Sequence, residues 1–194
     1  MTDWVHAVER AYVAAAVGAA QTRGPDGSMT RGGGAAAAPA PTTQRALAAA
    51  GAVASHFLAV GTPRSIGLIG GDDAGHSLVA HRAWFDPRDI RCTSASLAAA
   101  VGGRVVSLGE ALSADIVCIH VPLALAASQL RRGTHVNALA MVELDAELRA
   151  IATVVDEPKG LAALAAGLVD GRQLDELTVF IAGAATVASA ALAG

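Results

Sequence analysis

Aromatic residues make up only 3% of this 194-residue sequence. A core with so few large rings has to be filled by Ala, Val, Leu and Ile, which brings helices and strands close together. The length suits one domain or one and a half, and it is enough to bury a real core. Cysteine is scarce too: Cys92 and Cys118 fall in separate expected strands and read as buried, reduced thiols of a cytoplasmic protein. Basic clusters are missing beyond Arg131-Arg132, and the net charge is −3, which argues against nucleic acid as a partner. No Cys or His pair has zinc spacing, and His76 and His81 stand five apart rather than four, so no metal is expected. There is no G-x-S-x-G elbow for a serine hydrolase. Asp3 and Glu9 interrupt the N-terminal stretch and no small-residue cleavage site follows, so no signal peptide is expected. The tail 177–194 carries no charge over 18 residues, long enough on paper to span a bilayer. Half of it is Ala or Gly and no basic residue flanks its end, so it reads instead as a strand and a small-residue helix, with no membrane partner.

What the sequence does contain is alternation. Val5, Val8, Tyr12 and Ala16 recur at helical spacing and predict a helix over 3–20. Residues 21–41 hold Gly-Pro, triple-Gly and Ala-Pro breakers and read as a flexible linker. No strand precedes that glycine run, so it is not a phosphate loop. Thr42 or Thr43 is expected to cap a helix reaching Val60. Strands are then expected at 65–70, 90–94, 105–106, 115–121, 133–139, 153–155 and 177–181. Helices are expected at 73–84, 95–101, 109–112, 123–130, 145–149, 158–169 and 184–193. This pattern predicts an α/β fold, a doubly wound parallel sheet of Rossmann type spanning 42–194. Helices 3–20 and 43–60 read as a small helical remnant of a second, dimerising subdomain. Their alanine-rich faces suggest burial against another subunit, hence a homodimer.

The stretch from Ser65 to His76 reads as strand, tight glycine turn and helix start. The dinucleotide fingerprint is G-x-G-x-x-G; here it is Gly70-x-Asp72-x-x-Gly75, with Gly71 between. The middle glycine normally lets the backbone approach the pyrophosphate. Asp72 and Asp73 instead put negative charge where a helix N-terminus would attract an anion. A carboxylate there is expected to satisfy the free N–H groups itself. A like charge about 4 Å from a phosphate costs on the order of 4 kcal/mol at an effective dielectric near 20, about a thousandfold in affinity. Weak or lost binding of NAD or NADP is therefore expected. The strand at 90–94 would normally end in an acid for the ribose hydroxyls. It leads instead into Thr93 and Ser94, whose hydroxyls could meet a phosphate.

Several stretches together resemble the ornithine cyclodeaminase/mu-crystallin family. Thr42-x-x-Arg45-Ala46 resembles its T-x-x-R-T-A-A helix, and Ala114-Asp115-Ile116-Val117 its A-D-I-V strand. Arg132-Gly133-Thr134-His135-Val136-Asn137-Ala138 resembles P-G-T-H-I-N-A and is the most specific match. Glu143-Leu144-Asp145 resembles the E-L-D helix start, and Val154-Val155-Asp156 the strand after it. The resemblance implies a Rossmann domain that binds a nicotinamide dinucleotide and acts on amino acids, imines or keto acids. It also implies a dimerising substrate domain with a lysine and an arginine for the substrate carboxylate.

Departures from that pattern bear on function. The stretch before residue 42 has no counterpart of the substrate-domain strands, so the carboxylate clamp is reduced to Arg45. The loop that holds the family's catalytic aspartate is shortened to Ala140-Met141-Val142, leaving Glu143 or Asp145 as stand-ins, though both read first as helix N-terminal residues. His120, at the end of an expected central strand, is a further acid/base candidate, or else a hydrogen-bonded buried histidine. The expected function is a degenerate family member without cyclodeaminase activity, a pseudoenzyme serving as a small-molecule-binding or structural dimer. The alternative is an NAD(P)-dependent cyclodeaminase or imine/ketimine reductase with an altered cofactor turn.

Overall fold

The computed structural model describes residues 3–21, 40–157, 159–171, 176–183 and 186–193. Two long helices come first, α1 (Asp3–Gln21) and α2 (Ala40–Leu58). The chain continues through β1 (Ser65–Ile69), a 3-10 turn at Asp72–Ala74, α3 (Gly75–His81), β2 (Asp89–Cys92), α4 (Ala95–Val101), β3 (Arg104–Val105), α5 (Leu108–Leu112) and β4 (Ile116–Ile119). Then follow β5 (Leu123–Leu125), a 3-10 turn at Ala127–Gln129, β6 (His135–Ala138), β7 (Val142–Leu144) and α6 (Ala146–Ile151). The last elements are β8 (Thr153–Asp156), α7 (Lys159–Ala165), β9 (Thr178–Ile181) and α8 (Thr186–Ala193).

Seven strands form one sheet in the order β3-β2-β1-β4-β6-β9-β8, every pair parallel. Alternate residues of each strand serve opposite faces, as the two-residue strand period requires. Ile66, Leu68, Ile116, Cys118 and Phe180 belong to the core under α1–α4, α7 and α8. Ile69, Val117, Ile119, Val136 and Val179 belong to the core under α5 and α6. Helices on both faces of a parallel sheet make the doubly wound arrangement. Gly67 permits one close contact in it: a Cβ there would lie 2.2 Å from the Ala111 carbonyl oxygen of α5.

The apolar stripe of α1 is buried as its spacing requires, with Val5, Val8 and Tyr12 fully covered. The Tyr12 hydroxyl donates to the carboxylate of Glu157, just past β8. Burial, then the charge of Glu157 beside it, raises the Tyr12 pKa. The alanines of α2, from Ala46 to Ala54, are buried by this chain's own elements rather than left for another subunit. The helix begins at Ala40, so neither Thr42 nor Thr43 starts it, and Pro41 sits in its first turn, where its missing N–H costs nothing. The linker expected over 21–41 lies outside the described residues except at the helix ends.

Asp115 ties the N-terminal ends of β1 and β4 together. Its carboxylate accepts from the Arg64 N–H, the Ser65 N–H and the Ser65 hydroxyl at 2.8–2.9 Å, and pairs with Arg131. Burial works against its charge, but the N–H donors of Arg64 and Ser65, with Arg131, hold its pKa below the usual carboxylate range.

Three expected elements differ. The helix expected over 123–130 is strand β5 followed by a 3-10 turn. The helix start expected at Glu143-Leu144 is strand β7, which pairs with β5 in a separate two-stranded parallel sheet. Tertiary pairing overrides the helical preference of Leu and Ala here. The helix expected over 73–84 is shorter, entering through the 3-10 turn and ending at His81. No described helix is long and apolar enough to cross a membrane.

Candidate functional site

In an open parallel sheet a ligand crevice forms beyond the C-terminal strand ends, where the strand order reverses. Here the reversal lies between β1 and β4. Gly70 follows β1 and His120 follows β4, so the two residues face each other across that point. The ladder continues past β4, because the His120 N–H donates to the Ile69 carbonyl at 2.8 Å. Gly70 has φ +148°, a conformation other residues rarely adopt.

The turn itself is bare. Gly71 is exposed, and a Cβ added to it would meet nothing within 4 Å. A Cβ on Gly75 would stand 3.3 Å from Val101 Cγ1, so this glycine lets α3 lie close to α4. Asp72 and Asp73 are both exposed. The 3-10 turn carries no side-chain cap, so the expected satisfaction of its N–H groups by a carboxylate is not what forms. Exposure keeps these aspartates hydrated and clear of the neighbouring backbone. At the adenosine end of the crevice, Thr93 Oγ1 accepts from the Gly70 N–H at 3.4 Å. Ser94 caps α4 by accepting from the Leu97 N–H, and its hydroxyl lies 2.8 Å from that of Ser96.

His120 is held from one side. Its Nε2 lies 2.8 Å from Ser77 Oγ. Its Nδ1 is buried and has no hydrogen-bond partner among the described residues. Burial pushes the imidazole pKa down to about 4; Asp73 opposes that shift, while His76 and His81 add to it. The ring is therefore neutral near pH 7.

Behind His120 lies a buried polar cluster. His81 Nδ1 is 2.6 Å from the Ser77 carbonyl, so that nitrogen carries the proton, and Nε2 is 2.8 Å from Ser55 Oγ. Asn137 donates to Ser55 Oγ at 2.9 Å, and its Oδ1 lies 3.1 Å from His135 Nε2. His135 Nδ1 lies 2.8 Å from Thr178 Oγ1. Cys118 Sγ sits 4.0 Å from His81 Nε2 and 3.7 Å from Asn137 Nδ2. A cysteine, a histidine and an asparagine together invite a nucleophile reading. Burial rules it out, since it pushes the thiol up to about 12 and the His81 imidazole down to about 4. Both partners are neutral, and neither reaches solvent.

The other expected residues lie apart from this turn. Arg45 is exposed on α2, its guanidinium 5.0 Å above the Trp4 ring. Asp145 is a cap for α6, accepting from the Leu148 N–H at 2.6 Å and the Ala127 N–H at 3.3 Å. The Glu143 side chain is exposed on β7, and no hydrogen bond joins its carboxylate to a described residue. Both carboxylates line an open groove of about 470 Å³ with Ala124–Ala126, Ser128, Gln129 and Leu144, which includes none of the glycine-turn residues. Among the described residues no three His, Cys, Asp or Glu side chains gather as a metal site.

Sequence reasoning missed Ser77 and the cluster beneath it. The four-residue spacing of Ser77 and His81 on one helix was the available signal.

No family model matches the sequence, and no curated protein matches it. Solved structures do. An archaeal alanine dehydrogenase dimer with bound NAD superposes with a TM-score of 0.68 at 23% identity, over 78% of this chain and 62% of that one. The iminosuccinate reductase of Paracoccus denitrificans in complex with NAD+ gives 0.65 at 23% identity, over 77% and 61%. A probable ornithine cyclodeaminase from Bordetella pertussis Tohama I gives 0.65 at 22% identity, over 78% and 64%. The chain thus spans less than two thirds of the length of each. It shares the Rossmann-type fold of these structures.

Proposed function

We propose that this chain binds a nicotinamide dinucleotide over the Gly70–Gly75 turn and works as an NAD(P)-dependent oxidoreductase on an amino acid or cyclic imine. The observation that carries this reading is the bare turn at the switch point, where Gly70 and Gly71 present backbone and His120 faces them. The similar structures support the same kind of chemistry: two are described as NAD-bound proteins and one as a probable ornithine cyclodeaminase.

The residues fit the cofactor with one strain. Gly70 and Gly71 leave the backbone of the turn bare for the pyrophosphate, Gly75 keeps α3 close to α4 beside it, and Thr93 and Ser94 offer hydroxyls towards the adenosine. Asp72 opposes it with charge. Because Asp72 is exposed, the relevant dielectric is nearer that of water, and a charge pair at 4 Å then costs about 1 kcal/mol, or roughly fivefold in affinity. That is far below the thousandfold of a partly buried site. The dinucleotide, when bound, supplies or takes up hydride. Neutral His120 faces the glycine turn from the end of β4. Glu143 is the carboxylate still free to act on substrate, since Asp145 is committed to its helix cap. Arg45 would serve a substrate carboxylate only by leaving Trp4. We place the protein in the cytoplasm as a homodimer; the alanine dehydrogenase with this fold is described as a dimer.

The second reading is a degenerate, small-molecule-binding dimer without cofactor, favoured by the two exposed carboxylates on the turn. Titration of the protein with NADH and NADPH by fluorescence or calorimetry separates the two. Micromolar binding of either supports the oxidoreductase reading. No binding at millimolar concentration, by either the unaltered protein or Asp72→Gly, retires it.

A further inference from the structure

His120 Nδ1 is a buried polar atom left without a partner, and such groups cost about 1–3 kcal/mol unless something satisfies them. It lies at the one point of the sheet where the topology opens a crevice. Gly70 gives up its side chain there, since a Cβ would come within 2.9 Å of His120 Cβ. The other ring nitrogen is already used, with Nε2 held by Ser77 Oγ at 2.8 Å. Ser77 is fully buried on α3, so this anchor is fixed. The imidazole is thus fastened at Nε2 and unsatisfied at Nδ1, beside a bare glycine turn.

We propose that His120 is a positioning residue that reads the bound dinucleotide, Nδ1 taking its missing hydrogen-bond partner from a hydroxyl or carboxamide of the nicotinamide half. This rests on the reading that the crevice binds a dinucleotide. Nδ1 is covered while the residue as a whole is only partly buried, so this contact requires the ring to tilt about its Ser77 anchor.

The test uses two conservative variants that split the ring's two functions. Asn places its amide near the Nδ1 position; Gln reaches the Nε2 position and Ser77. NADH is titrated against the unaltered protein, His120→Asn, His120→Gln and His120→Ala, with thermal unfolding to confirm that each folds. The expected result is an affinity for His120→Asn within about threefold of the unaltered protein, and a loss of roughly tenfold for His120→Gln and His120→Ala, the size of one hydrogen bond. The Nδ1 resonance in ¹⁵N-imidazole NMR should move on adding NADH. The reverse order, with Gln tolerated and Asn not, overturns the proposal, because residue 120 would then act only through Ser77. So does equal affinity across all four proteins. Failure of the unaltered protein to bind NADH or NADPH is a separate result that overturns the crevice reading and this role together.

Discussion

Gly70 and His120 exclude each other's bulk: a Cβ on residue 70 would lie 2.9 Å from the His120 Cβ, and the Gly70 backbone already sits at φ +148°. Gly70→Ala therefore meets both steric strain and an unfavourable backbone region. The expected cost is about 1–3 kcal/mol, a fall in melting temperature of roughly 2–12 °C for a chain of this length. Gly71→Ala is the control, since its Cβ would meet open space and its φ of −83° suits any residue. It should stay within about 0.5 kcal/mol of the unaltered protein. Equal losses in the two variants would show that the strain is not confined to Gly70.

Asp72 sets a second expectation. As an exposed carboxylate it should weaken dinucleotide binding only modestly, so Asp72→Gly should tighten NADH binding about fivefold at low salt. The gain should shrink as salt is raised, because exposed charges are screened within about 10 Å at 0.1 M. A change that ignores salt would mean that the glycine acts through backbone shape instead of charge.

Much of this arrangement was legible in the sequence, for identifiable reasons. The continuous apolar run 115–121 is typical of a strand buried on both faces, and β4 is that strand. The stripe Val5–Val8–Tyr12–Ala16 has a single helical interpretation, and all four residues are buried. Gly70 and Gly75 marked the turn. The segment 123–130 was not legible, because Leu and Ala favour a helix locally and only pairing with β7, itself three residues long, makes β5 a strand. The support of His120 was hidden for another reason. Ser77 is 43 residues away in sequence, and the Asn137–Ser55 bond spans 82. Such contacts carry no periodic signal. Exposure also lowers the cost expected of Asp72, because that cost depends on the dielectric around it, which no motif records.

Asp115 separates the structural part of the family resemblance from the ligand part. It lies at the N-terminal ends of β1 and β4, at the opposite edge of the sheet from Gly70. Asp115→Ala should leave the Arg64 and Ser65 N–H groups without their acceptor and cost about 2–3 kcal/mol in urea unfolding. NADH affinity, measured well below the unfolding transition, should not change. A large loss of affinity in the folded variant would mean that the two sheet edges are coupled.

The buried histidines give the fold a pH dependence of predictable sign. His81 falls from an ordinary value of 6.5 to about 4 in the folded chain because burial disfavours its charged form, the Ser77 carbonyl opposing that only in part. Between those values the unfolded chain binds more protons than the folded one, so stability rises with pH. The contribution is fully present above about pH 6.5 and drains away as the pH falls towards 4. It amounts to on the order of 3 kcal/mol for His81. His120 shifts in the same direction to about 4 and adds a similar slope. Asp89 and Asp115 are held below their ordinary value of 3.8, so their losses begin only beneath this window. Urea unfolding at half-unit steps from pH 7.5 to 4 should show the decline. His81→Gln should lower stability at pH 7 while removing about half of the slope, because His120 still titrates. A slope left unchanged by His81→Gln would mean that the proton uptake on unfolding belongs to other groups.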